Sequence, residues 1–296
     1  MQQEVRPNGK KMIREYEAED NEQIAALLNQ GMAFIGKEDM DAVFLQAVQI
    51  LVYEEKNVIL GFCSLRRWGT DGINGKIVAY VVPDARKKGI GSALYRRIMT
   101  YADDLELNII SAEFRADKDD AAVFYEKLGY EKWFGLHEMH YNGKRQPVSE
   151  QIIVPYEDRY FEQYVEGMRN SFYEMRKVHD FQPYLCCECS EEKRTELANG
   201  KDDIFILLDQ GKVAASASVR EDDKDPLGPI FVAPAYQGRG YGKTVTRFAI
   251  NEALRRGMKD INLEVVEWNI RAVNLYQSLG FEMIQTMHTY RCARTR

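Results

Sequence analysis

A chain of 296 residues with 45% apolar and 29% charged positions is long enough for two ordinary domains and apolar enough to bury real cores, which excludes an intrinsically disordered protein. A formal net charge of -6 and a pI near 5.5 argue against a nucleic-acid partner, because such a surface needs clustered Lys and Arg to displace counterions from phosphates. The stretch MQQEVRPNGKKMIREYE has no apolar leader and no window reaches the length of a membrane span, so a cytoplasmic protein without a membrane partner is expected.

In chain order, a strand (MIREYE) precedes an amphipathic helix (NEQIAALLNQGMAF), and ILVYEE with VILGFCSLRRW reads as a hairpin across Lys56 and Asn57. Then come the strand IVAYVV, a Gly-rich loop, a long helix, the strand IISAEF, the helix DDAAVFYEKLGY and a last strand, WFGLHEMHY. A polar segment with Gly and Pro, Tyr141 to Glu150, reads as a linker. After it the order repeats: IIVPYE, two helices, DDIFILLD, VAASASV, PIFV, a Gly-rich loop, a helix, INLEVV, the helix IRAVNLYQSLGF and IQTMHTYRC. An α/β chain with α+β mixed sheets flanked by helices is implied.

The repeat keeps one register. Pro83, Gly89, Gly91, Glu113, Ala121, Tyr125 and Gly129 align with Pro234, Gly240, Gly242, Glu264, Ala272, Tyr276 and Gly280, each pair 151 residues apart. Ile13 and Ile153 align at an offset of 140, so about 11 extra residues fall between Tyr160 and Gly200. Two copies of one domain, 1–145 and 150–296, are therefore expected.

Five cysteines, with Cys186, Cys187 and Cys189 crowded into YLCCECS, do not pair as structural disulfides and fit a reducing compartment. A metal site would need a fourth ligand, and only His179 lies near in sequence; no metal is expected.

The loops QGRGYG (237–242) and RKKGIG (86–91) each follow an apolar strand and open a helix. Successive backbone N–H groups at such a junction, reinforced by the helix dipole, form an anion site, and glycines let oxygen atoms approach where a Cβ would collide. Neither loop is a Walker sequence or a dinucleotide fingerprint.

The full constellation is a strand with Val-x-Pro, Arg or Gln-x-x-Gly-x-Gly, a helix, a strand with Glu, and Tyr-x-x-x-Gly-Phe or Tyr-x-x-x-Gly-Tyr. It closely resembles the GNAT superfamily of acetyl-CoA-dependent N-acetyltransferases, in a tandem, mycothiol-synthase-like arrangement of two domains. The resemblance implies, in each half, a central mixed sheet with a splayed strand pair that receives the arm of acetyl-CoA or another short acyl-CoA. In the second half it assigns coenzyme binding to Phe231, Val232, Gln237, Gly238, Arg239, Gly240, Tyr241, Gly242, Lys243 and Asn269. In the first half it assigns Val81, Val82, Arg86, Lys87, Lys88, Gly89, Ile90, Gly91 and Ser92. Asn269 matches a family asparagine, where the first half has Asp117 or Lys118.

Acetylating an amine needs a base for the ammonium proton and an acid for the departing thiolate. The resemblance implies those roles for Glu264 with Tyr276 and for Glu113 with Tyr125, each pair 12 residues apart. Core packing for the tyrosines and solvent exposure for the glutamates are the plain alternatives.

The expectation is direct transfer to a primary amine of a small molecule or peptide, by a monomer or homodimer, with the carboxy-terminal half the active one. The alternative makes the amino-terminal half a non-catalytic acyl-CoA-binding or structural domain. The acceptor pockets are expected from MAFIGKEDMDAVF and NSFYEMRKVHDFQPYLCCECSEEK.

Overall fold

A computed structural model describes residues 11–31, 46–69, 72–117, 121–221 and 225–294. The expected acceptor segment MAFIGKEDMDAVF and Lys118 lie outside them. The described chain forms two compact units, one of residues 1–135 with 285–296, the other of residues 136–284.

In the first unit, β1 (Met12–Glu15), β2 (Ala47–Glu55), β3 (Val58–Trp68) and β4 (Asn74–Val81) form an antiparallel run. The β2–β3 hairpin turns at Lys56 and Asn57, both with positive φ, as a tight two-residue turn requires. β5 (Ile109–Arg115) joins β4 in parallel. Helices cover both faces. On one, α1 (Asn21–Gly31) packs Ile24, Leu27 and Leu28 on Phe62, Val78 and Tyr80. On the other, α2 (Ile90–Asp104) buries Ile90, Leu94, Ile98 and Ala102 at a four-residue spacing against Cys63, Leu65, Ile77 and Ile110, together with α3 (Ala122–Glu126). Burial of each large aliphatic side chain contributes about 1.5–3 kcal/mol, which holds the sheet between its two helix layers.

The second unit repeats the plan. β7 (Ile153–Pro155), β8 (Ile204–Asp209), β9 (Lys212–Val219) and β10 (Leu227–Val232) pair antiparallel in that order. α4 (Phe161–Val178) packs Tyr164, Val165 and Met168 with Ile206, Val213 and Phe231 on one face. α6 (Tyr241–Arg255) packs Val245, Ala249 and Ile250 with Leu207, Ala215 and Ala217 on the other. α5 (Glu191–Asn199) begins at Ser190, whose Oγ accepts from the Lys193 N–H. β11 (Ile261–Val266) and α7 (Ile270–Ser278) follow. The two helices between Phe161 and Asn199 occupy the stretch where extra residues are expected.

The two final strands change places. β6 (Glu131–Tyr141), the last strand of the first half, runs antiparallel to β11 through residues 136–141 and so belongs to the second unit there. β12 (Glu282–Ala293), the last strand of the second half, runs antiparallel to β5 from Met287 to Ala293 in the first unit. The boundaries 1–145 and 150–296 therefore differ from the units that the chain forms. Nor is the segment after Tyr141 a free linker. Tyr141 is buried, its hydroxyl donates to the Lys144 carbonyl, and Gln146 and Asn251 exchange hydrogen bonds of 2.8 and 3.0 Å.

Candidate active sites

Both Gly-rich loops have the expected form. α2 is preceded by Gly89 at φ 84° and α6 by Gly240 at φ 82°, and at neither end does a capping side chain occupy the first N–H groups. An added Cβ at either glycine would meet nothing within 4 Å, so the positive φ and the open approach explain them, not packing. Gly91 and Gly242 differ. A Cβ there would lie 3.7 Å from Phe124 and 3.5 Å from Leu275, respectively, an ordinary contact distance, so packing does not demand glycine at either position.

Beside each loop the sheet opens. The β4–β5 ladder ends at Ile77 and Ala112, leaving Val78–Val81 and Glu113–Arg115 unpaired to each other. β10 and β11 share no ladder. In the first unit the opening is a cavity of about 510 Å³, whose wall includes Val81, Lys87, Gly89, Ser92, Glu113 and Tyr125. The loop, the expected base and the expected acid thus line one space.

The named side chains divide into those turned to the opening and those already engaged. Arg86 donates from Nε to the Val81 carbonyl at 2.8 Å, and Gln237, its counterpart, donates to the Val232 carbonyl at 3.2 Å. Both brace the loop against the strand. Lys88 donates to the Asp84 carbonyl, and Arg239 pairs with Asp209, which also accepts from the Tyr241 hydroxyl. That carboxylate holds the Tyr241 phenol above its ordinary pKa. Lys243 is exposed, Ile90 and Phe231 are core residues, and Val82 is half-buried against the core, its N–H bonded to the Leu60 carbonyl. Phe231, expected to flank the coenzyme arm, instead stacks edge-on against Tyr164 under α4. Strand alternation turns it to that face. Asn269 caps α7, its side-chain oxygen accepting from the Ala272 N–H at 3.2 Å. At the matching place in the first unit, burial would raise the Asp117 carboxyl, but Arg115 and the Thr286 N–H outweigh it and hold it below its usual range.

Both tyrosines are buried. Burial pushes the Tyr276 phenol up to about 12 and the Tyr125 phenol higher still, so each keeps its proton at neutral pH, as an acid must. Tyr125 stacks on Phe114 at 5.6 Å, and beside it Tyr95 donates to Tyr130 at 3.3 Å. Tyr95 also lines the cavity, a placement that its helix periodicity alone did not reveal.

The glutamates have different neighbours across the sheet. Glu113 is ion-paired with Lys76 of the neighbouring strand, and its partner across the β5–β12 ladder is Thr289. Glu264 is exposed, and its partner across the β6–β11 ladder is Glu138, itself only 8% exposed. Directly opposed residues of an antiparallel pair share a face, so Glu138 and Glu264 lie side by side on the sheet. Sequence reasoning did not place Glu138 beside Glu264, because it lies in the other half of the repeat and pairs there only through the exchanged strand.

The known proteins decide the family. A model of the acetyltransferase (GNAT) family matches residues 165–281, and a model of the acetyltransferase (GNAT) domain matches residues 46–132. The chain belongs to the GNAT family. It carries two such domains in tandem. Mycothiol acetyltransferase of Thermobifida fusca is 30% identical over 117 residues, 36% of this chain and 36% of that protein. The [Ribosomal protein bS18]-alanine N-acetyltransferase of Escherichia coli K12 is 37% identical over 87 residues, 29% of this chain and 59% of that enzyme. The chain thus spans less than two thirds of either relative. A solved tandem GNAT protein from the clavulanic acid biosynthesis pathway superposes with a TM-score of 0.62 at 14% identity, over 97% of this chain and 99% of that one, which shows a shared fold. Among the described residues, no helix of this GNAT chain is long and apolar enough to cross a membrane.

Proposed function

We propose that this protein is an acetyl-CoA-dependent N-acetyltransferase that carries an acyl group to a primary amine by direct attack. The observation that supports it is the repeated cradle, in which an uncapped helix start behind a left-handed glycine adjoins a splayed strand pair, with a glutamate and a buried protonated tyrosine in place. The residues fit a coenzyme's phosphates at the loop amides and its acyl arm between the strands. The bound coenzyme supplies an activated thioester; the chain must do the rest.

A carboxylate removes a proton from the incoming ammonium, directly or through water, to free its lone pair. The tyrosine phenol holds a proton for the departing thiolate. The two units are not equally suited to this work. The expected base of the first unit, Glu113, is held in an ion pair with Lys76, and only the second unit carries an asparagine, Asn269, where the family pattern has one. Catalysis in the second unit, with Glu264 as base and Tyr276 as acid, is the better reading. The first unit, with its open cavity, then serves as an acyl-CoA-binding domain.

Calorimetry with acetyl-CoA on the full chain tests both statements, using Gly89→Val and Gly240→Val separately. A branched side chain at either position strains the backbone and crowds the loop, and is expected to weaken its own site at least about tenfold. Two sites, each lost with its own glycine, are the expected result. No binding at all would sink the acetyltransferase reading.

A further inference from the structure

The two Gly-rich loops draw their positive charge from different places. Where the first loop carries Arg86, Lys87 and Lys88, the shift of 151 residues puts Gln237, Gly238 and Arg239 in the second. Arg86 and Lys87 line the first unit's cavity. In the second unit Arg239 is already engaged, paired with Asp209 at 3.1 Å and lying over the Tyr236 ring, and Lys243 follows the loop in α6, exposed.

A further cation reaches this second loop from across the sheet. Arg271, the second residue of α7, donates from Nη1 to the Gln237 Oε1 at 3.0 Å. The Gln237 amide in turn donates to the Val232 carbonyl at 3.2 Å, and the Ser171 Oγ of α4 donates to the same carbonyl at 2.8 Å. Val232 ends β10, α7 follows β11, and those two strands share no ladder, so the Arg271–Gln237 bond spans the opening between them. The guanidinium is exposed, and this bond joins it to a neutral amide. Its setting favours an anion. A cation in the first turn of a helix meets the positive end of the dipole, and the uncapped start of α6 behind left-handed Gly240 adds partial positive charge opposite. A negative group held between them relieves both. At the aligned position the first half has Asp120, which lies outside the described residues.

We infer that Arg271 is a coenzyme-binding residue of the second unit, leaving Gln237 to pair with the diphosphate of an acyl-CoA seated on the loop amides. This role rests on the acyl-CoA reading, and it gives the second cradle from α7 the charge that Arg86 and Lys87 give the first from its own loop. Place selects the diphosphate over the 3′-phosphate. Gln237 opens the loop, so a guanidinium one hydrogen bond from its side chain reaches an anion on the N–H groups that follow. Adjacent phosphate oxygens also suit a planar group that donates two parallel bonds.

The test is calorimetry on the full chain carrying Gly89→Val, which leaves the second site, with coenzyme A and with dephospho-coenzyme A, which keeps the diphosphate and lacks the 3′-phosphate. Adding Arg271→Gln is expected to raise Kd for both ligands about tenfold, and Arg271→Lys to recover most of that loss. Because the missing group is a charge, affinity should fall less steeply with added salt in the glutamine variant than in its parent. Urea unfolding verifies that the variants keep the parent's stability. Equal Kd values in parent and Arg271→Gln would overturn the role of Arg271 alone. A loss with coenzyme A but none with dephospho-coenzyme A would overturn the assignment to the diphosphate. A parent that binds neither ligand would overturn the coenzyme reading of the second unit, and the role of Arg271 with it.

Discussion

The two Gly-rich loops carry nearly the same backbone, yet they sit in differently charged surroundings. The first unit places Lys87 at φ 57° and the second places Gly238 at φ 81° in the corresponding turn, so one copy tolerates a strained lysine where the other uses a glycine. Across the sheet, Glu113 meets Lys76 and Thr289, whereas Glu264 meets Glu138. The repeated sequence forms the same helix-opening loop twice, while the neighbours of the two glutamates differ.

The largest expected effect separates the units by their acids. Tyr276→Phe, which keeps the buried ring and removes the proton, is expected to lower kcat by roughly 10²–10⁴, the usual worth of a positioned acid. Tyr125→Phe should change it less than about twofold. Steady-state acetylation of an amine panel measures both, and the reverse order would move catalysis to the first unit.

Next in size is the carboxylate pair. Glu138→Gln alters the side chain directly opposite Glu264, the proposed base, so KM for the amine should rise roughly tenfold with a smaller effect on kcat, about 1.4 kcal/mol being a tenfold change in binding. An unchanged KM would remove Glu138 from the site.

Stability in alkali should separate the variants further. The Tyr276 phenol is raised in the folded state, so its contribution is complete below the unfolded value of about 10 and is lost as pH climbs toward 12. The expected slope is about 1.4 kcal/mol per pH unit in that window. Urea midpoints at pH 9 and 11 should converge in Tyr276→Phe relative to wild type. In the first unit Tyr95, Tyr125 and Tyr130 are all raised by burial, which predicts a steeper alkaline loss there.

The smallest effect concerns the loop turn. Lys87→Gly relieves a left-handed lysine and is expected to stabilise the first unit by about 1 kcal/mol, while Gly238→Lys costs the second unit about the same. Differential scanning calorimetry would show the two shifts with opposite sign.

Much of this molecule was legible before any coordinates. The apolar spacing of Ile90, Leu94 and Ile98 marked a helix, Lys56-Asn57 marked a hairpin, and a constant offset of 151 residues marked the duplication, because each signal is local or self-referential. The tandem family followed from those motifs. Asn269 shows a limit of that reading: a helix cap and a ligand contact call for the same side chain, and only the bond to Ala272 reveals the cap.

What the sequence determined by itself was therefore the pair of helix-opening loops and the residue types placed beside them. Tertiary structure alone decided that β6 and β12 complete each other's units, that Lys76 lies against Glu113, and that Glu138 faces Glu264. The physical reason is that periodicity tells a strand which face is buried, but not which edge it will pair with. Edge pairing is chosen by backbone hydrogen bonds that look alike in every strand, and by packing between residues more than a hundred positions apart.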